Sequence, residues 1–183
     1  MTATVQDVIT AKLERAFDTL DANQDGFLDW SDHQALADRY VAAYRLGRDD
    51  RRARALYSFF QAYWLELLRH SAVDGDRLTK AEFVQANRIA SVDTSRLNVV
   101  DGAGHVMFDV VDVDGDNEMS KDEFARCMND VWQITAPDAM RSFTAMDTDG
   151  DGVISRHEFV RAIREHFFST DPDAPGSMFF GHV

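Results

Sequence analysis

The twelve residues DTDGDGVISRHE, from Asp147 to Glu158, place oxygen-bearing side chains at positions 1, 3, 5 and 9 and end on a carboxylate at position 12. Two further stretches repeat this spacing: DVDGDNEMSKDE begins at Asp112, and DANQDGFLDWSD begins at Asp21. An acidic surface turn that caps the following helix could explain one such stretch. Three copies in a chain of 183 residues indicate instead a repeated loop that gathers oxygens around a cation.

The spacing fits what a calcium ion requires. Calcium takes six to eight oxygens at about 2.3 to 2.6 Å, and a twelve-residue loop supplies them from positions 1, 3 and 5, the carbonyl of position 7, a group at position 9 and a bidentate carboxylate at position 12. Ser120 and Ser155 hold position 9 in the last two loops, and Ser155 would act through a water. The predicted ligands are Asp21, Asn23, Asp25, Phe27 (carbonyl), Asp29 and Asp32; Asp112, Asp114, Asp116, Glu118 (carbonyl) and Glu123; and Asp147, Asp149, Asp151, Val153 (carbonyl) and Glu158.

Two residues depart from the ideal loop. Asn117 stands where the sharp turn favours glycine, but asparagine tolerates a positive φ better than other residues with side chains, so we expect this loop to bind metal. Asp32 stands where glutamate is usual, so either the loop must tighten or Asp32 must bind through one oxygen. We therefore expect the first loop to be the weakest calcium site and the best magnesium site, since magnesium needs a smaller, six-coordinate shell.

The apolar residues around the loops repeat as well. A phenylalanine stands four residues before each loop, and an apolar residue at position 8. The stretch from Ser71 to Glu82 keeps this apolar frame, with Leu78 at position 8, but lacks the ligands. We expect this second loop to be structural, with Leu28 facing Leu78 as Met119 faces Ile154. A rearranged metal site built from Asp74, Asp76 and Glu82 is the alternative.

This template resembles the four-EF-hand proteins of the sarcoplasmic calcium-binding type, including the calerythrin-like members. The resemblance covers essentially the whole chain: active first, third and fourth hands, a degenerate second hand, a widened gap between the first two loops, and a tail from Asp171 to Val183. It implies an intracellular calcium buffer or transporter rather than an enzyme. It also implies an all-α fold of about eight helices in one compact unit, with one pair of hands in residues 1–91, a second pair in 92–183, and a joint at Ser91 to Ser95.

Composition restricts the possible partners and compartment. The formal net charge of −13 argues against nucleic acid or an anionic membrane as the main partner. The single cysteine, Cys127, excludes an internal disulfide and fits a reducing compartment. No stretch looks membrane-spanning, and the first twenty residues show helical spacing of apolar residues rather than a signal peptide. We expect a cytoplasmic monomer.

The composition of the tail predicts that it packs against the core. Pro172, Pro175 and Gly176 prevent a continuing helix, yet Met178 and the two phenylalanines that follow it are too apolar to leave in water. We expect them to fold back and cover the groove that a calcium sensor would open to a target. A frayed terminus is the alternative.

Three roles fit the sequence. A buffer is the role implied by the resemblance. A sensor would open a flexible groove lined by methionine, for which Met107, Met119, Met128, Met140 and Met146 are available, although core packing also explains them. A relative of calcium-triggered photoproteins such as aequorin would hold a ligand in a cavity lined by Trp64, His105, Trp132 and His166.

Overall fold

The computed structural model describes residues 5–90 and 95–180, and the side chains of residues 8–90 and 99–180. The described chain is mostly helical, which confirms the all-α prediction, and its strands are two residues long. The helices are α1 Val5–Leu20, α2 Trp30–Ala43, α3 Arg51–His70, α4 Lys80–Ala90, α5 Ser95–Val111, α6 Lys121–Arg126, α7 Ala136–Met146 and α8 Arg156–Phe168; a π-helical turn spans Cys127–Val131 and a 3-10 turn Pro175–Met178. The strands are β1 Phe27–Leu28, β2 Leu78–Thr79, β3 Glu118–Met119 and β4 Ile154–Ser155.

The strands join the loops in pairs. β1 runs antiparallel to β2 with Leu28 opposite Leu78, and β3 runs antiparallel to β4 with Met119 opposite Ile154. The side chains of these four residues are fully buried. The predicted pairing through position 8 is therefore confirmed, and each half of the chain contains one pair of loops. The boundary at residue 91 stays a prediction, because most of the proposed joint, residues 91–94, lies outside the described residues.

The two halves repeat their packing in detail. The phenylalanine before the first loop, Phe17, makes an edge-on contact with Phe83 after the second, at 5.8 Å between ring centroids. Phe108 contacts Phe159 in the same way at 5.9 Å. The second hand thus keeps the packing of a complete hand, because its apolar frame is intact even though its ligands are absent.

The exit helices of the first and third hands both end in irregular backbone. α2 ends at Ala43, and Arg45, two residues further on, takes a left-handed φ of 51° that stops the helix. α6 is only six residues long and continues as the π-helical turn from Cys127. The Tyr40 hydroxyl of α2 accepts a hydrogen bond from Trp132 Nε1 at 3.0 Å beside this turn, so the exit helix of the first hand packs against that of the third.

The tail packs on α7 and α8. Phe179 is 2% exposed, and Gly176 lies so close to α8 that an added Cβ would stand 1.9 Å from the Ala162 carbonyl oxygen. The buried Lys12 of α1 donates hydrogen bonds to the carbonyl oxygens of Glu165 and Ser169 at 2.9 and 2.7 Å, near the end of α8. The first helix, the last helix and the tail are therefore held together. No helix among the described residues has the length and apolar character needed to cross a membrane.

Candidate metal centres

The first, third and fourth loops close through the same pair of hydrogen bonds. The carboxylate at position 12 accepts the backbone N–H groups of positions 2 and 9 in each loop. For Glu158 the N–O distances are 2.9 and 2.9 Å, from Thr148 and Ser155. For Glu123 they are 2.8 and 2.9 Å. Asp32 makes the same two bonds, at 3.1 and 3.0 Å, so the first loop closes onto the shorter side chain.

Position 1 organises the opposite end of each loop. Its carboxylate accepts the backbone N–H of position 6 at 3.0 Å in all three cases: Gly26 donates to Asp21, Asn117 to Asp112, and Gly152 to Asp147. The side chains at positions 3 and 5 each accept the N–H two residues further on. These bonds tie the predicted ligand side chains to the backbone of their own loops.

The backbone of the three loops is left-handed at two positions. At position 6, Gly26, Asn117 and Gly152 have φ values of 83°, 67° and 92°, so Asn117 adopts the conformation predicted for it. At position 4, Gln24, Gly115 and Gly150 have φ values of 58°, 76° and 75°. The sequence interpretation did not include position 4, although the glycines at 115 and 150 were the signal that could have shown it.

Predicted ligands of the third and fourth loops converge. Among the described residues, two groups of carboxylates have oxygens within 4.8 Å of one another: Asp112 with Asp114 and Glu123, and Asp147 with Asp149 and Asp151. Carboxylate and carbonyl oxygens are ligands suited to calcium and magnesium, so the donor set fits the implied ion. The first loop has no such group of three carboxylates, in part because its position 3 is Asn23. The full ligand sets remain predictions.

The second loop lacks this geometry. No residue from Ser71 to Glu82 has a positive φ. Glu82 accepts the Thr79 N–H at 2.8 Å, as a capping glutamate does, and no hydrogen bond to it from position 2 is seen in this fully described stretch. Asp74 and Asp76 do not form a carboxylate group with Glu82. The loop serves the fold through β2 and through the cap of α4.

Burial and hydrogen bonds shift the pKa of two closing carboxylates, Glu158 and Asp32, in opposite directions. Burial by itself would raise the pKa of Glu158, but hydrogen bonds from Ser155 and Thr148 outweigh it and lower the pKa to about 2. Burial raises the pKa of Asp32 despite the two backbone N–H groups that oppose it. Glu158 therefore stays ionised well below neutral pH. The Ser155 hydroxyl donates to Glu158 at 2.8 Å, so position 9 orients the closing carboxylate in addition to its predicted water-bridged role.

One contact reaches the first loop from outside. Arg77, at position 7 of the second loop, donates to Asp25 Oδ2 at 2.7 Å. Its guanidinium also lies 4.2 Å from the centre of the Phe27 ring. Sequence reasoning missed this residue, since Arg77 and Asp25 are 52 positions apart and only the β1–β2 pairing brings them together.

Comparison with known families agrees with the loop geometry. The EF-hand family model matches residues 13–34, 105–128 and 140–163, which contain the first, third and fourth loops. The comparison with curated protein sequences gives no match. The EF-hand prediction is thus confirmed by the family model in three places.

Solved structures share this fold over most or all of the chain. A Streptomyces coelicolor calcium-binding protein, described in connection with prokaryotic calcium-mediated regulation, is 28% identical, with a TM-score of 0.74 over 87% of this chain and 97% of that one. The calcium-loaded apo form of coelenterazine-binding protein from Renilla muelleri is 21% identical, with a TM-score of 0.71 over 100% of both chains. Calcium-loaded apo-aequorin from Aequorea victoria is 19% identical, with a TM-score of 0.74 over 90% of this chain and 92% of that one. The last two likenesses show the fold alone.

Proposed function

We propose that this EF-hand protein is an intracellular calcium buffer or transporter that holds three ions, one each in the first, third and fourth loops. The shared closing bonds, left-handed positions and acidic ligands of these loops support metal binding at all three. Magnesium should compete chiefly in the first loop, which closes on the shorter Asp32. A cytoplasmic monomer without enzymatic activity is part of the proposal. The loops gather carboxylates, which suit a hard cation, rather than a nucleophile with its base.

The position of the tail favours the buffer role over the sensor role. A sensor exposes an apolar groove when calcium binds, so that a target helix can enter. Here the tail already covers the apolar surface of α7 and α8, with Phe179 packed edge-on against Trp132 and Phe159. The Ser142 hydroxyl of α7 donates to the Met178 carbonyl oxygen at 2.7 Å, which fixes the tail in place. A target would have to displace the protein's own chain.

The methionines give the sensor role little support. Met107, Met119, Met128 and Met146 are buried in the core, and only Met140 of the five candidates is partly exposed. Core packing explains the buried four, since methionine fills irregular gaps between helices.

Calorimetric calcium titration of the metal-free protein tests the proposal, with and without millimolar magnesium and with a hydrophobic dye present. A buffer should bind three calcium ions, compete with magnesium and show no rise in dye fluorescence. Gly176→Ala, which cannot seat the tail on α8, supplies the positive control for an uncovered surface. Sites indifferent to magnesium together with a calcium-dependent rise in dye signal would support a sensor instead.

A second candidate function, binding of a small apolar ligand, is favoured by one observation. A small apolar cavity of about 60 Å³ lies beneath the tail. Tyr63, Trp132 and His166 line it, together with Phe179 and Phe180. His166 is fully buried, and neither ring nitrogen has a hydrogen-bond partner among the described residues. A ligand with one polar group could satisfy it.

The residues expected around this cavity are only partly there. Trp132 and His166 line it as the photoprotein hypothesis requires. Trp64 does not, because it packs on His33 with 5.0 Å between ring centroids, and His105 is exposed on α5. Coelenterazine, which the Renilla protein's name gives as its ligand, is a suitable probe, and the tail would have to move outward to admit a molecule of that size. Saturable binding that His166→Phe abolishes would support this candidate, and absence of binding to both proteins would eliminate coelenterazine as its ligand.

A further inference from the structure

We propose that Arg77 of the degenerate second loop is an affinity-determining residue of the first metal loop, where its charge competes with the bound cation for Asp25. The inference rests on the proposed function, because it takes the first loop to be a metal site. It gives the second loop a role in metal binding although that loop lacks the ligands to hold an ion itself.

The contact occupies a predicted ligand. Asp25 stands at position 5, and both of its carboxylate oxygens are in use: Oδ1 accepts the Phe27 N–H at 2.9 Å and Oδ2 accepts Arg77 at 2.7 Å. At the same position in the other loops, Asp116 and Asp151 accept only the N–H of their own loop at position 7. Among the described residues, no basic side chain forms an ion pair with either of them. At position 5, and among the described side chains, the first loop is therefore the one whose carboxylate is paired with a basic residue.

A second contact keeps the guanidinium at the loop. Arg77 stacks on Phe27, whose backbone carbonyl is the predicted ligand at position 7, and a cation over an aromatic face is attracted to it. The side chain is thus held at Asp25 and Phe27 together. In the fourth loop, which pairs with the third in the same way, position 7 is Val153, which has no charge.

Electrostatics give the direction of the effect. The first loop offers four carboxylates, Asp21, Asp25, Asp29 and Asp32, and Arg77 offsets one of those four negative charges. A guanidinium and a divalent ion that bind the same carboxylate repel each other. Even at the dielectric constant of water, this repulsion should lower the affinity of the site for the ion about tenfold. The first site should therefore bind any divalent cation more weakly than its own ligands would allow. Because the Arg77–Asp25 pair is exposed, its removal should leave the fold intact.

Site-resolved calcium titration by NMR tests the inference. The amides at position 6, Gly26, Asn117 and Gly152, donate to the first carboxylate of their loops and report on each site separately. Arg77→Val, which copies the residue of the fourth loop, should lower the dissociation constant at Gly26 about tenfold and leave Asn117 and Gly152 unchanged. Arg77→Lys keeps the charge and should change the dissociation constant at Gly26 little. Arg141→Val removes an exposed, ion-paired arginine of α7 and should change none of the three dissociation constants.

The outcomes separate the inference from the proposed function. A Gly26 amide that responds to calcium only in Arg77→Val supports the inference, because Arg77 then blocks the site entirely. An unchanged or weakened first site in that variant overturns it, and so does a Gly26 amide silent in both proteins. If Asn117 and Gly152 also fail to respond in the wild-type protein, the proposed calcium function itself fails.

Discussion

The side chain at position 12 decides how each loop closes. Glu158 and Glu123 reach the N–H groups of positions 2 and 9 with a side chain one methylene longer than that of Asp32, which makes the same bonds. The carboxylate thus has two roles, since it closes the loop and is the predicted bidentate ligand. Loss of its charge should reduce the affinity for metal far more than it reduces the stability of the fold.

Glu158→Gln tests this at the fourth site. The amide can still accept a backbone N–H, but it has lost the negative charge and one of two ligand oxygens. We expect the calcium affinity of this site to fall about a hundredfold or more, measured by the Gly152 amide during titration. Glu82→Gln, the same change in the degenerate loop, should leave calcium stoichiometry unaltered. Equal loss of affinity in both variants would contradict the assignment.

Gln24 carries backbone strain at position 4 of the first loop. Its φ of 58° is left-handed, where the third and fourth loops have glycine. Gln24→Gly should raise the free energy of unfolding by about 0.5 to 1 kcal/mol, as seen by urea denaturation of the metal-free protein. Ala22→Gly, at a position without a positive φ, should lower it by about the same amount. The strain interpretation fails if both substitutions change the free energy of unfolding in the same direction.

At the scale of elements, the crossing of α5 and α8 depends on one glycine. A Cβ added to Gly104 would lie 3.0 Å from Val160 Cγ2 and 3.1 Å from its Cα, so the helices would have to separate. Gly104→Ala should destabilise the protein by about 1 to 2 kcal/mol. Gly102→Ala, two residues away with nothing within 4 Å of the added atom, should stabilise it by about 0.5 to 1 kcal/mol. Urea unfolding of both variants checks the opposite signs.

For the whole molecule, calcium should control stability. An ion that binds only the folded state at a hundredfold above its dissociation constant adds about 2.7 kcal/mol, so three independent sites add about 8 kcal/mol. This gain is comparable to the total stability of an ordinary domain. Thermal unfolding with excess calcium and with a chelator should therefore differ widely, and Glu158→Gln should lose about a third of that difference. A chelator without effect on unfolding would refute metal-linked folding.

Acid should weaken the fold through two buried histidines. Burial lowers the pKa of His166 to about 3 and that of His33 to about 4, below the ordinary value of 6.5. The unfolded chain then binds more protons below pH 6.5, so this stability is present above pH 6.5 and is lost as the pH falls towards the folded-state values. By about pH 5 each histidine should lower the free energy of unfolding by about 2 kcal/mol.

Comparison of variants isolates this contribution from protonation of the loops. His166→Phe should lose less stability than the wild-type protein between neutral pH and about pH 5, measured by urea unfolding. His105→Gln replaces an exposed histidine of α5 and should follow the wild-type protein. Identical pH profiles for all three proteins would show that His166 is not buried in its neutral form.

The sequence by itself determined the metal loops, the pairing of Leu28 with Leu78 and the helical fold. These features are local or periodic: twelve consecutive residues contain a complete set of predicted ligands, and position 8 specifies the partner strand. Only the tertiary structure decided the contact of Arg77 with Asp25, the seat of Gly176 on α8 and the isolation of His166 beside an apolar cavity. Each of these depends on residues far apart in the chain, whose distances are set by how helices cross and are not encoded in the spacing of any one segment.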